Sequence, residues 1–387
     1  MATLNLPVAY GRIERYATRP PRAFPKAASP FNRIAYAAAH VVADPLADAE
    51  PWLEAAVDWE RTIAFRRYLW SLGLGVAEAM DTAQRGMGLD WPASLELIRR
   101  SIDAAKDTPG ALLASGAGTD QLEPRPDVTL DDVIGAYEEQ CAAIEKLGGR
   151  IVLMASRALV KAARGSDDYA RVYGRILGQV REPVIIHWLG EMFDPALAGY
   201  WGHTSHDKAM EVAVEVVTAS AAKVDGVKVS LLDKDKEVAM RRRLPQGVRM
   251  YTGDDFNYSE LIEGDARGFS DALLGIFDVI APAAAAALGA LAGGDRQSFH
   301  EILAPTLPLS RHVFKAPTRF YKTGVVFMAY LNGLQEHFTL IGGQESARST
   351  LHLAELFRLA DAAGLLADPE RAAARMRWVM ATRGVAA

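Results

Sequence analysis

The residue with the clearest chemical potential is Lys228. It sits in Val224-Asp225-Gly226-Val227-Lys228-Val229-Ser230, where alternation places Val227 and Val229 on one face and the lysine on the other. A lysine on the inward face of a strand loses hydration, which disfavours its ammonium form and lowers its pKa. The resulting free amine can attack a carbonyl and form a Schiff base, an electron sink for carbon–carbon cleavage or dehydration. The competing reading is a lysine paired with a carboxylate or exposed at a strand end.

Other ionisable groups fall near the ends of apolar runs. His187 follows Ile185-Ile186 in a second strand-like run, and an imidazole there suits acid/base work. Thr252-Gly253-Asp254-Asp255 turns sharply after a third run and offers Asp254 and Asp255 to a substrate, or caps to the next helix. Glu78 and Arg157 end two further runs, Glu78 to orient substrate or the lysine and Arg157 to hold a carboxylate or hydroxyl. His40, Glu78, His187 and Asp254 also make a plausible donor set for a divalent metal. His203-Thr204-Ser205-His206 reads as a solvated loop.

These groups need a scaffold that gathers strand ends. Candidate strands are Arg33–Val42, Leu74–Glu78, Ala111–Ala114, Arg150–Met154, Pro183–Trp188, Val224–Ser230, Arg249–Thr252 and Gly268–Asp271. Helical periodicity fills the gaps at Trp52–Leu72, Leu95–Lys106, Thr129–Leu147, Asp168–Gln179, Lys208–Ala222, Asp233–Leu244, Tyr258–Glu263 and Asp278–Ala292. Alternating strands and helices in this number predict an α/β (β/α)8 TIM barrel, whose active groups lie at the C-terminal ends of the strands. From Asp295 the pattern is helical alone: Gln297–Phe314, Thr323–Thr339, Ser346–Ala363 and Pro369–Ala381. The expected organisation is an N-terminal arm over 1–30, a barrel over 31–294 and a helical C-terminal extension over 295–387 packed on the barrel.

The order of these motifs resembles the dihydrodipicolinate synthase / N-acetylneuraminate lyase family. Val224–Ser230, with Gly226 two residues before Lys228, is similar to that family's strand with the Schiff-base lysine. Tyr251-Thr252-Gly253-Asp254-Asp255 resembles its next strand, and Leu261–Ser270 its glycine-containing element before the eighth helix. Ala114-Ser115-Gly116-Ala117-Gly118 resembles the Gly-rich end of strand three, and Phe314–Gly333 the helical tail. The resemblance spans roughly 31–335 and points to a divergent bacterial branch. It implies a class I lyase or hydro-lyase that acts on a small keto acid or keto sugar through Lys228, with no cofactor, in a dimer or tetramer.

Three stretches depart from the family. Gly75-Val76-Ala77-Glu78 keeps the glutamate but lacks the hydroxyls that hold an α-keto acid's carboxylate. Leu153-Met154-Ala155-Ser156-Arg157 has no tyrosine where strand four supplies one, and His187-Trp188-Leu189-Gly190 replaces Tyr-Asn-x-Pro. They keep two alternatives open: a metal-dependent sugar isomerase, epimerase or lyase, and a non-catalytic ligand-binding barrel.

Bulk properties exclude other classes. The chain has 387 residues, a net charge of −5 and half its residues hydrophobic, with Arg241-Arg242-Arg243 its longest basic run, so no nucleic-acid partner is expected. A lone cysteine, Cys141, permits no internal disulfide and reads as a buried small residue. Met1–Pro30 lacks a secretory pattern and Val279–Ala292 is too short and Ala-rich for a membrane span, so the expected setting is cytoplasmic. Gly116-Ala117-Gly118-Thr119-Asp120 lacks the third glycine of a dinucleotide fingerprint.

Overall fold

The structure is a computed structural model that describes residues 1–26 and 30–385. An antiparallel hairpin, β1 (Thr3–Pro7) and β2 (Ile13–Ala17), comes first. The barrel strands follow as β3 (Ala35–Ala38), β4 (Gly75–Glu78), β5 (Leu113–Ala117), β6 (Arg150–Leu153), β7 (Val184–Leu189), β8 (Val224–Ser230), β9 (Arg249–Thr252) and β10 (Asp271–Leu274). Each pairs in parallel with its neighbour, and β10 closes onto β3. The expected TIM barrel is therefore the observed fold.

Strand alternation divides the barrel into two cores. Tyr36, Ala77, Val152, Ile185, Tyr251 and Leu273 fill the interior. Val76, Ile151, Ile186, Val227, Met250 and Leu274 face outward against the helices. Gly226 faces inward, where an added Cβ would lie 2.6 Å from the Tyr251 ring. The missing side chain lets Tyr251 fill the layer beneath Lys228.

Most helix expectations hold within a few residues, and the differences have local causes. Trp52–Leu72 is helical only over Trp59–Ser71, because Asp58 caps it by accepting from the Arg61 N–H. Gln297–Phe314 divides into Arg296–Leu303 and Thr306–Val313 around Pro305, which has no N–H to continue the ladder. Thr323–Thr339 is helical over Tyr321–Leu331, followed by Gly333 at φ +74°. Strand eight lies at Asp271–Leu274 rather than Gly268–Asp271, because Gly264 and Gly268 take positive φ in a turn bridged from Asp265 to Gly268.

The terminal segments meet. The Tyr16 hydroxyl donates to Asp361 Oδ2 at 2.7 Å, and the Arg19 N–H donates to Oδ1 at 3.0 Å. This ties the hairpin to helix Thr350–Ala362, while Arg377 of helix Pro369–Thr382 donates to the Thr3 carbonyl. No helix of the described residues is long and apolar enough to cross a membrane. Cys141 is buried, and burial pushes its thiol up to about 12, so it is chemically inert.

Candidate active site

The C-terminal ends of β7, β8 and β9 bring the principal groups together. Lys228 lies inside the barrel at 7% exposure, on the same face as Gly226. Its register partner on β7 is His187. Burial lowers the Lys228 pKa, while the negative charges of Asp81 and Asp255 oppose that shift. Asp255 is buried and pushed up to about 7 by desolvation, against the pull of the Ile276 N–H and Lys228. Gly253 makes room for the lysine stem: a Cβ there would lie 2.4 Å from Ser230 Oγ and 3.0 Å from Lys228 Cε.

His187 is fully buried, with Nε2 3.0 Å from Ser230 Oγ and Nδ1 without a partner among the described residues. Burial and the neighbouring lysine hold its pKa far below the usual histidine range. Burial thus disfavours the imidazolium form and weakens the expected acid/base role, while the ring keeps its place beside Lys228. It can still donate or accept a hydrogen bond.

Three expected site residues lie elsewhere or are engaged. Glu78 shares the outward face of Val76 and is bound by Arg66 Nε at 2.9 Å, Arg66 Nη2 at 2.8 Å, Ser101 Oγ at 2.5 Å and the Ala79 N–H at 2.9 Å. It fastens β4 to the outer helices and is corrected from substrate contact to a structural ion pair. Asp254 accepts from the Phe256 N–H at 2.8 Å, the Asn257 N–H at 3.1 Å and Asn257 Nδ2 at 2.8 Å. It organises the turn into helix Tyr258–Glu263, leaving Asp255 to face the lysine. His40 Nδ1 pairs with Asp278 at 2.8 Å and its ring packs on Phe65 of the outer helix layer. The alternative metal set of His40, Glu78, His187 and Asp254 is therefore dispersed. Among the described residues no three His, Cys, Asp or Glu side chains converge on a metal position. His206 begins helix His206–Ala219 and its Nε2 lies 3.1 Å from Glu191.

A cavity of about 250 Å³ opens at the mouth, lined by His187, Asp81, Arg85, Thr119, Asp120 and Arg157. Arg157, half exposed, donates to Asp194 at 2.5 Å, so it lines the cavity as expected but already holds a carboxylate. Arg85 is buried and forks onto Asp120 and the Gly116 carbonyl. A second cleft of about 430 Å³ shares Asp81, Arg85, Arg157 and Asp194, and extends to Arg319, Tyr321 and Lys322. The Tyr321 hydroxyl meets Thr82 Oγ1 at 2.8 Å just beyond β4, a strand end without hydroxyls of its own. Sequence reasoning missed Arg85 and Lys322 as site residues, because loop and extension positions carry no alternation that signals direction.

The family described as "Protein of unknown function (DUF993)" matches residues 4–385. The chain belongs to this family. No curated protein matches it. Solved structures share its fold. Dihydrodipicolinate synthase from Aquifex aeolicus is 13% identical, with a TM-score of 0.63 over 86% of this chain and 99% of its own. The chloride-inhibited dihydrodipicolinate synthase from Acinetobacter baumannii, complexed with pyruvate, is 16% identical, with a TM-score of 0.63 over 86% and 99%. YagE, a prophage protein of the dihydrodipicolinic acid synthase family from E. coli K12 in complex with pyruvate, is 12% identical, with a TM-score of 0.64 over 91% and 99%. At such identities the likeness is one of fold.

Proposed function

We propose that this DUF993-family protein is a class I lyase or hydro-lyase that binds a small keto acid or keto sugar as an imine on Lys228. The observation that carries the proposal is a desolvated lysine inside the barrel, beside a carboxyl whose pKa is about 7. Burial lowers the amine and raises the acid, so a proton passes between them at small cost. The solved relatives complexed with pyruvate support a keto-compound ligand in this fold. The inner cavity falls just below the range of about 300–1,000 Å³ that suits drug-sized ligands, which favours a small substrate.

In this reading the Lys228 nitrogen attacks the carbonyl carbon and the displaced π electrons go to oxygen. Asp255 supplies the proton that oxygen takes up. A proton then passes from that nitrogen to the hydroxyl, and departure of water, driven by the freed nitrogen lone pair, leaves a cationic iminium. Electrons from an adjacent C–H or C–C bond then flow to the iminium nitrogen. Asp255, now a carboxylate, accepts the departing proton. His187 stays neutral and orients an oxygen through Nδ1, with Nε2 anchored on Ser230.

An iminium acidifies the adjacent C–H bonds, so the reading predicts enzyme-dependent exchange of substrate protons with D2O. Proton NMR of pyruvate, other 2-keto acids and keto sugars is expected to show that exchange for at least one compound and to lose it in Lys228→Ala. Exchange that persists in the variant, or is absent across the panel, would contradict imine chemistry on these substrates.

A further inference from the structure

The imine reading leaves one buried cation at the mouth without a task. Lys322 opens helix Tyr321–Leu331 in the C-terminal extension and is 5% exposed. Its Nζ donates to the Arg319 carbonyl at 3.1 Å and contacts Met87 Sδ at 3.1 Å. An ammonium has three donors, and a thioether is a weak acceptor, so these contacts leave the charge poorly compensated. Among the described residues no carboxylate lies at ion-pair distance from Lys322 or Arg319, whereas the cleft's other cations are committed, Arg85 to Asp120 and Arg157 to Asp194. Burying an amine in this way is unfavourable unless something compensates it.

The cleft leads from this cation toward the inner cavity at His187, the register partner of Lys228. The negative charge of Asp81 raises the pKa of both Lys228 and Lys322. The inner cavity at His187 and the outer cleft at Lys322 share Asp81 and Arg157 as a common wall. A ligand lying along that wall would place one end at His187, the register partner of Lys228, and the other at Lys322 and Arg319.

We propose that Lys322 and Arg319 form an anion subsite that holds a carboxylate or phosphate at the end of the substrate distal from its carbonyl. The substrate class is then a keto compound with an anionic tail, selected by residues from outside the barrel. The subsite itself is independent of imine chemistry; only the location of the carbonyl end rests on the reading of Lys228.

The facing charges set a pH dependence. Desolvation lowers Lys322 to about 8, with Arg157 and Arg319 lowering it and Asp81 and Asp194 raising it. The cationic form dominates below that value, so anion affinity falls as pH rises from 7 to 9. Phosphate gains charge over that range, so a loss of its affinity reports the protein.

Calorimetric titration of the full chain with inorganic phosphate and, separately, with succinate tests the proposal at pH 7 and pH 9. At least one anion is expected to bind, with Kd raised about tenfold or more by Lys322→Met and several-fold by the exposed Arg319→Gln. The exposed Lys146→Met, remote from the cleft, is expected to leave that Kd unchanged. The preferred probe separates a phosphate tail from a carboxylate tail. Lys322→Met replaces a desolvated cation by an apolar chain of similar length, so its melting temperature is expected to match or exceed wild type. Failure of both anions to bind the wild-type protein, or equal binding by both subsite variants, would overturn the proposal. Lys322-dependent binding without any Lys228 adduct would retain the subsite and reject the imine; the reverse pattern would do the opposite.

Discussion

At the scale of single residues, the site depends on electrostatic balance between Lys228 and Asp255. Deprotonation supplies the nucleophile, so imine formation is expected to rise with pH through a midpoint below the ordinary lysine value of about 10.4 and to fall again as Asp255 loses the proton it supplies. Asp255→Asn removes a negative charge that raises the Lys228 pKa, so this midpoint is expected to move to lower pH while the maximal rate falls. A pH series of borohydride trapping rates checks both shifts; a midpoint that moves upward in the variant would contradict the pairing. Lys228→Met is expected to stabilise the fold by about 1 kcal/mol in urea unfolding, since it removes a desolvated cation. Lys228 was legible in the sequence because its strand alternates cleanly. The choice between Asp254 and Asp255 was not, because at a strand end the chain turns and alternation no longer sets direction.

At the scale of elements, glycines and buried carboxylates set the fit between layers. Gly253→Ala is expected to cost about 1–3 kcal/mol and to lose trapping, because the new Cβ collides with Ser230 Oγ and crowds the lysine stem. Arg66→Ala is expected to cost about 3–5 kcal/mol, since it strands Glu78 between β4 and helix Trp59–Ser71. Both are read by chemical denaturation, and a neutral result at either would contradict the packing described.

Glu237, on helix Lys234–Arg241, gives a pH signature. It is buried, its Oε1 accepts from Ser270 Oγ at 2.7 Å, and desolvation pushes it up to about 8. A raised folded-state pKa means the folded form holds this proton more tightly than the unfolded chain. The contribution is complete below the unfolded value near 4.3 and is lost as pH rises through about 8. Glu237→Gln is therefore expected to shrink the fall in stability between pH 5 and 8 by about 1–3 kcal/mol. An undiminished slope would contradict that burial. The outward direction of Glu78 was recoverable from sequence in principle, since it shares the parity of Val76, an apolar residue suited to the helix-facing side. The attraction of a carboxylate at a strand end outweighed that pattern.

At the scale of the molecule, the extension lines the cleft at the barrel mouth with Arg319, Tyr321 and Lys322. The barrel could be read from the repeated alternation of apolar runs and helical periods, which a closed parallel sheet requires. The hairpin could not, because Thr3–Pro7 supplies only Leu4 and Leu6 as inward positions and its partner surface lies more than 300 residues away, at Asp361. Lys322 was hidden for a related reason: its helix is buried throughout, so no stripe distinguishes the turn that faces the mouth. Asp361→Ala is expected to loosen the hairpin at a cost of about 1–3 kcal/mol, measured as earlier hydrogen exchange in β1 and β2. Unchanged protection there would show that the hairpin is held by other contacts.

The most direct measurement is intact mass and peptide mapping after borohydride treatment in the presence of pyruvate, other 2-keto acids and keto sugars. The wild-type protein is expected to gain the mass of one reduced adduct, located on Lys228 and absent in Lys228→Ala. An adduct mapped to Lys322 or to surface lysines, or a mass gain that survives in Lys228→Ala, would contradict the assignment of Lys228 as the imine-forming residue.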